Sequence, residues 1–228
     1  MSQALLLQLR SELKKAADAV RAPEMQRYMK SAMPYHGVPA PAARQVFRRV
    51  FSSVEFKNAA EWQSAVRHIW RNAKFREEWY GAVELCGHRA ADMYQTPEAL
   101  ALYEEMIVGS AWWDIVDTLA SHRVGLLLRR YPKPIAKAMR SWSRSDDIWK
   151  RRTSILSQLG FKKDTDLKLL YACIEPSLDS KEFFLRKAIG WALRQHAWTD
   201  PAEVRRYIRT NSARLSPLSR REALKNIQ

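Results

Sequence analysis

At 228 residues, 46% of them hydrophobic and 28% charged, the chain is long enough to bury a sizeable core, which excludes an intrinsically disordered polymer. Its 39 Lys and Arg against 24 Asp and Glu leave a net charge of +15, a balance suited to polyanionic partners. Two cysteines, Cys86 and Cys173, are too few for a disulfide framework or a cysteine-built zinc site, and no stretch approaches 18 apolar residues, which excludes a transmembrane helix.

Taken in chain order, the apolar residues recur at three and four rather than at two, so the predicted class is all-α. The first 25 residues are helical by pattern, and residues 1–45 are expected to form an N-terminal cap. The apolar run within Met1–Arg10 is too short and too interrupted for a secretion signal, so the expected location is cytoplasmic, in a bacterial cytosol or nucleoid. Beyond it, prolines fall where helices should begin or end: Pro39 and Pro41, Pro97, Pro132 and Pro134, Pro176, Pro201 and Pro217. Between them, Leu126 to Leu128 with Tyr131, and Ile155 and Leu156 with Leu159, keep helical spacing. The elements are short.

The chain also repeats itself. A bulky residue recurs at Trp79, Trp113, Trp149, Phe184 and Leu218, in steps of 34, 36, 35 and 34. Arg151–Leu156 lies over Arg186–Trp191 and over Arg220–Lys225 in the same register. A unit of this length without strand signal holds two helices of three or four turns, and such pairs bury their apolar faces only by stacking. The expected architecture is therefore a curved solenoid, or superhelix, of about six HEAT-like two-helix repeats forming one domain over residues 1–228, with a basic concave face. Equivalent positions of stacked repeats fall in a row, and Arg151 with Arg152, Arg186 with Lys187, and Arg220 with Arg221 occupy such positions. A row of cations suits a phosphate backbone. Residues 1–110 carry 15 basic and 12 acidic side chains, net +3, whereas residues 111–228 carry 24 and 12, net +12, so the partner is expected against the second half.

The segment Ser110–Leu119 holds the residues best suited to chemistry. Trp113 and Asp117, four apart, share a helix face, and Trp191 occupies the corresponding helix two repeats on, with Arg194 three residues later. Breaking an N-glycosidic bond makes the sugar oxocarbenium-like, which a carboxylate stabilises by charge and an indole by cation–π attraction. The residues alone leave a structural role for Asp114 or Asp117, tying neighbouring helices together, as well supported as a catalytic one. Of nine tryptophans, Trp62, Trp70, Trp79, Trp142 and Trp198 are read as packing residues, and Trp112 as core. The five histidines show no metal-ligand spacing and are read as surface or packing residues, and no phosphate-loop or dinucleotide motif occurs.

The sequence resembles the AlkD-like DNA alkylation repair family, HEAT-like repeat DNA glycosylases, over nearly its whole length. The matching segments are Met25–Lys30, Trp112–Asp117, Ile148–Thr153, Lys181–Arg194 and Leu218–Ala223, of which the block Lys181–Trp191 is the most specific. The resemblance implies excision of cationic purines such as N7-alkylguanine and N3-alkyladenine from duplex DNA, with no metal or organic cofactor. It implies Asp117 as the catalytic carboxylate, Trp113 and Trp191 as aromatics bracketing the lesion nucleotide, and Arg152 as a phosphate contact. Arg194 and Tyr28 transfer less directly, and Arg151 and Lys187 join the expected DNA-binding set from the repeat register. A monomer is the expected state. Two rival readings are a non-catalytic nucleic-acid-binding solenoid and a protein-binding scaffold.

Overall fold

The computed structural model describes residues 2–227 and is all-α, with fourteen α-helices and no strand among the described residues. The chain divides into two compact units, one ending at Gln95 and the other beginning at Thr96.

The first unit contains α1 (Ser2–Lys15), α2 (Arg21–Met29), α3 (Ala40–Phe51), α4 (Ala59–Asn72) and α5 (Arg76–Cys86). α1 buries Leu5, Leu6, Leu9 and Leu13 against α3, α4 and α5, because leucines at this spacing make one apolar stripe. Two adjacent carboxylates at the start of α5 tie the unit together. Glu77 is fully buried and accepts the backbone N–H groups of His36, Gly37 and Val38, which satisfies a turn that has no helical partners. Gly37 has φ of +84°, and a Cβ there would lie 2.1 Å from the Asp18 carbonyl oxygen, so the turn needs glycine on both counts. Glu78 accepts from Arg10 Nε at 2.7 Å and Nη2 at 3.0 Å, joining α5 to α1.

The second unit contains α6 (Leu100–Ser110), α7 (Trp113–Thr118), α8 (Gly125–Arg130), α9 (Pro132–Trp142), α10 (Ile148–Leu156), α11 (Leu167–Ile174), α12 (Phe183–Ala197), α13 (Pro201–Thr210) and α14 (Pro217–Leu224). A π-helical stretch, Leu119–Val124, joins α7 to α8 without a break. Pro132, Pro201 and Pro217 each open a helix, where the missing N–H costs nothing. α7 packs on α10, α10 on α12, and α12 on α14, while α9, α11 and α13 lie against members of this row. The core between them includes Ile155, Leu156, Leu170, Ile174, Leu185, Ile189 and Leu193.

The repeat spacing has a structural meaning. Trp113 is the first residue of α7, and Trp149, Phe184 and Leu218 are the second residues of α10, α12 and α14, so the recurring bulky residue marks successive helix starts in the row. Stacking at one repeat per step makes residues one repeat apart into neighbours. Among the described residues, four ion pairs accordingly join residues 35 apart: Asp117 with Arg152, Arg129 with Asp164, Asp179 with Arg214, and Lys187 with Glu222.

Candidate active site

α10 begins at Asp147, whose carboxylate accepts the N–H groups of Trp149 and Lys150 and so fixes the first turn. That turn sends Arg152 inward, where it is only 4% exposed. Its Nε donates to Asp117 Oδ1 at 2.7 Å and its Nη2 to Oδ2 at 2.8 Å, a bidentate pair, while Nη1 donates to the Phe184 carbonyl. One guanidinium therefore links α7, α10 and α12. The aromatic rings of Trp112, Trp149 and Phe184 pack beside it, with centroids 4.9 to 6.3 Å apart.

Asp117 keeps 12% of its side chain exposed, and what remains faces a hollow of about 360 Å³. The hollow is lined by Asp117, Thr118, Ser121 and His122 from α7 and the π stretch, Leu159 and Gly160 after α10, and Trp191 and Gln195 on α12. Burial pushes the Asp117 carboxyl above its ordinary range, against the pull of Arg152. A carboxylate has about four acceptor positions, so Arg152 leaves about half of them for a ligand. Among the described residues no group of three or more His, Cys, Asp or Glu side chains is placed to hold a metal ion.

The structure brings Asp117 and Trp191 to one hollow. Trp113, one turn before Asp117 on α7, is partly exposed but does not line it. The residues expected to meet DNA have the following partners within the chain. The guanidinium of Arg152, expected at a phosphate, is bound to Asp117 and the Phe184 carbonyl. Arg151 donates to the Pro176 carbonyl at 2.7 Å and to Ser177 Oγ at 2.9 Å. Lys187 and Arg194 both bind Glu222, at 3.0 and 2.8 Å. Tyr28, in the unit ending at Gln95, is 78% exposed on α2.

Trp62, Trp70 and Trp142 are buried and Trp79 stacks on Trp70, as packing residues do. Trp198 is a correction: it stands at the C-cap of α12, where the helix stops, and is 69% exposed rather than packed. α-Helical spacing does not bring His122 to the site, since five residues along an α-helix turn the side chain about 140° away from Asp117. The π stretch, with its i to i+5 bonding, returns it to the side of Asp117. Gln195 was legible, one turn beyond Trp191.

A family model described as DNA alkylation repair enzyme matches residues 9–227. The chain belongs to that family. Its role is in alkylation repair, and the hollow at Asp117 lies within the matched residues. Among solved structures, one described as "Predicted DNA alkylation repair enzyme from Enterococcus faecalis" is similar at a TM-score of 0.83 and 25% identity, over 92% of this chain and 96% of that one. No curated protein matches. No helix among the described residues is long and apolar enough to cross a membrane.

Proposed function

We propose that the chain is a monofunctional DNA glycosylase that hydrolyses the N-glycosidic bond of cationic alkylated purines, such as N7-alkylguanine and N3-alkyladenine, in duplex DNA. One observation carries the reading: Asp117, held by Arg152, shares an open hollow with the indole of Trp191. Cleavage of the C1′–N bond sends the electron pair to the purine, whose positive charge is thereby neutralised, so no general acid is needed. The charge passes to the sugar. Asp117 faces that developing cation and Trp191 presents a π surface to it. Water then adds to C1′ and gives up a proton, with Asp117 as its acceptor or orienting group. The open hollow encloses little, which suits a base that stays near its duplex position rather than one swung into a deep pocket.

Duplex DNA carrying a single 7-methylguanine supplies the test. The expected result is release of free 7-methylguanine by the wild type and a fall of at least a hundredfold in single-turnover rate for Asp117→Asn, with duplex binding retained. Unchanged single-turnover rates in D117N would remove the catalytic assignment.

A second reading has its own observation. Three other ion pairs of the same 35-residue span tie neighbouring elements of the unit together among the described residues, and Asp117 with Arg152 is the fourth. Read as a helix tie alone, Asp117 belongs to a non-catalytic nucleic-acid-binding protein, and methylated bases would stay intact after prolonged incubation.

A further inference from the structure

α14 lies along α12 more extensively than any other pair of helices meets among the described residues. The approach depends on Gly190, where a Cβ would stand 2.5 Å from Glu222 Cβ and 2.9 Å from the Ser219 carbonyl oxygen. Ser219 Oγ donates to the Arg186 carbonyl at 2.9 Å and fixes the register of the two helices. Glu222 then reaches across α12. Its Oε1 lies 3.0 Å from Lys187 Nζ and its Oε2 2.8 Å from Arg194 Nη1.

Lys187, Trp191 and Arg194 are four and three residues apart, so they share one face of α12, with the indole of the hollow between the two cations. Long cationic side chains without a partner spread into water and away from each other. Here one carboxylate, with 15% of its side chain exposed, binds both. Lys187 and the other cations around it hold that carboxyl below its ordinary range, so it stays ionised in neutral solution.

We propose that Glu222 is a positioning residue for DNA, fixing Lys187 and Arg194 on either side of Trp191 so that they meet backbone phosphates flanking the nucleotide at the hollow. The inference rests on the DNA-binding part of the function proposed above. It does not depend on base release. Arg194 uses one of its five donors on Glu222 and Lys187 one of its three, so both keep donors for phosphate.

The sign of the effect separates positioning from bulk charge. Removing an acid raises the net charge and, by long-range attraction alone, tightens DNA binding. Positioning gives the opposite. The experiment measures Kd for an undamaged duplex at physiological salt for the wild type, Glu222→Gln, Glu222→Asp and each change in a K187A/R194A background, alongside thermal melts and base release. The expected result is a threefold to tenfold weaker Kd for E222Q with no added loss in the K187A/R194A background. E222D keeps the charge but withdraws the carboxylate by one methylene, and it weakens binding in the same direction if E222Q does not fold. Binding by folded E222Q or E222D that equals or exceeds the wild type, or an equal loss in the K187A/R194A background, overturns the proposal. A wild type that binds duplex but releases no base removes the glycosylase reading and leaves this one standing.

Discussion

Replacing Arg152 by methionine keeps much of the side-chain volume and deletes three donated hydrogen bonds, two to Asp117 and one to the Phe184 carbonyl. The carboxylate left behind is largely out of water. Breaking a buried pair from one side costs about 3–5 kcal/mol, since the surviving charge is uncompensated. That cost has a ceiling, because the acid can take up a proton: from an unfolded pKa of about 3.9, doing so at pH 7 costs about 4 kcal/mol. R152M is therefore expected to lose about 3–4 kcal/mol of unfolding free energy at pH 7, with an Asp117 pKa pushed further up. The sign follows for an acid whose folded pKa stands above its unfolded one. The penalty is complete above the folded pKa and is relieved as pH falls toward the unfolded value, so the gap to the wild type narrows between pH 7 and pH 5. D117N/R152M carries no charge to strand and recovers about 2 kcal/mol or more relative to the sum of the single changes. Urea unfolding of the four proteins at both pH values measures all of this. Losses that add to within about 0.5 kcal/mol, or an R152M gap that ignores pH, would refute the view of Arg152 as the counter-charge that opposes the effect of burial on Asp117.

Two further changes probe the frame around the site. Burial raises the Glu78 carboxyl, but the His36 ring at 3.8 Å, the Arg10 guanidinium and the Lys74 N–H together bring it down to about 2. Its contribution is thus present above the unfolded glutamate value and is lost as pH falls toward about 2. Glu78→Gln is expected to cost a few kcal/mol at pH 7 and much less at pH 3, read by denaturant melts at each pH, and a cost that does not shrink on acidification argues against the pairing with Arg10. Gly190→Ala gains about 1 kcal/mol of helix propensity, yet its methyl meets Glu222 Cβ and a backbone carbonyl that cannot swing aside, so a net loss of about 1–2 kcal/mol is expected from thermal melts. A more stable G190A would show that α14 can lift from α12 at no cost.

The period of about 35 residues was legible because bulky residues mark helix starts in the row α7, α10, α12 and α14, and a packing need that recurs in space recurs in sequence. The pairing of Asp117 with Trp191 at one hollow was legible for the same reason, since both lie on helices of that row. The partners of the cations were not. A basic residue recurring at equivalent positions reads as a row facing a polyanion; the sequence places Asp117 and Glu222 one step to either side of Arg152 and Lys187, but only the structure shows that acid and base turn toward each other. Nor does it distinguish the α from the π register, which decides whether His122 joins Asp117. Trp198 reads as a packing residue by composition and is exposed because the helix ends beneath it.

The row Asp117, Arg152, Lys187 and Glu222, each one 35-residue step from the last, carries no net charge, and its two cations are each bound by the acid on the outer side. The unit from Thr96 onward nonetheless holds 24 basic against 15 acidic residues. The excess therefore lies off this row, on side chains such as Lys133, Lys162, Lys163 and Lys168, all exposed. Under the proposed function this divides the work by physics. Exposed cations supply the salt-dependent attraction for phosphates, which is blind to geometry. The paired residues supply placement, since a side chain held by a neighbouring acid loses less freedom on meeting a ligand than one that is not. Attraction then tolerates the loss of any single surface lysine, whereas placement does not tolerate the loss of either acid in the row.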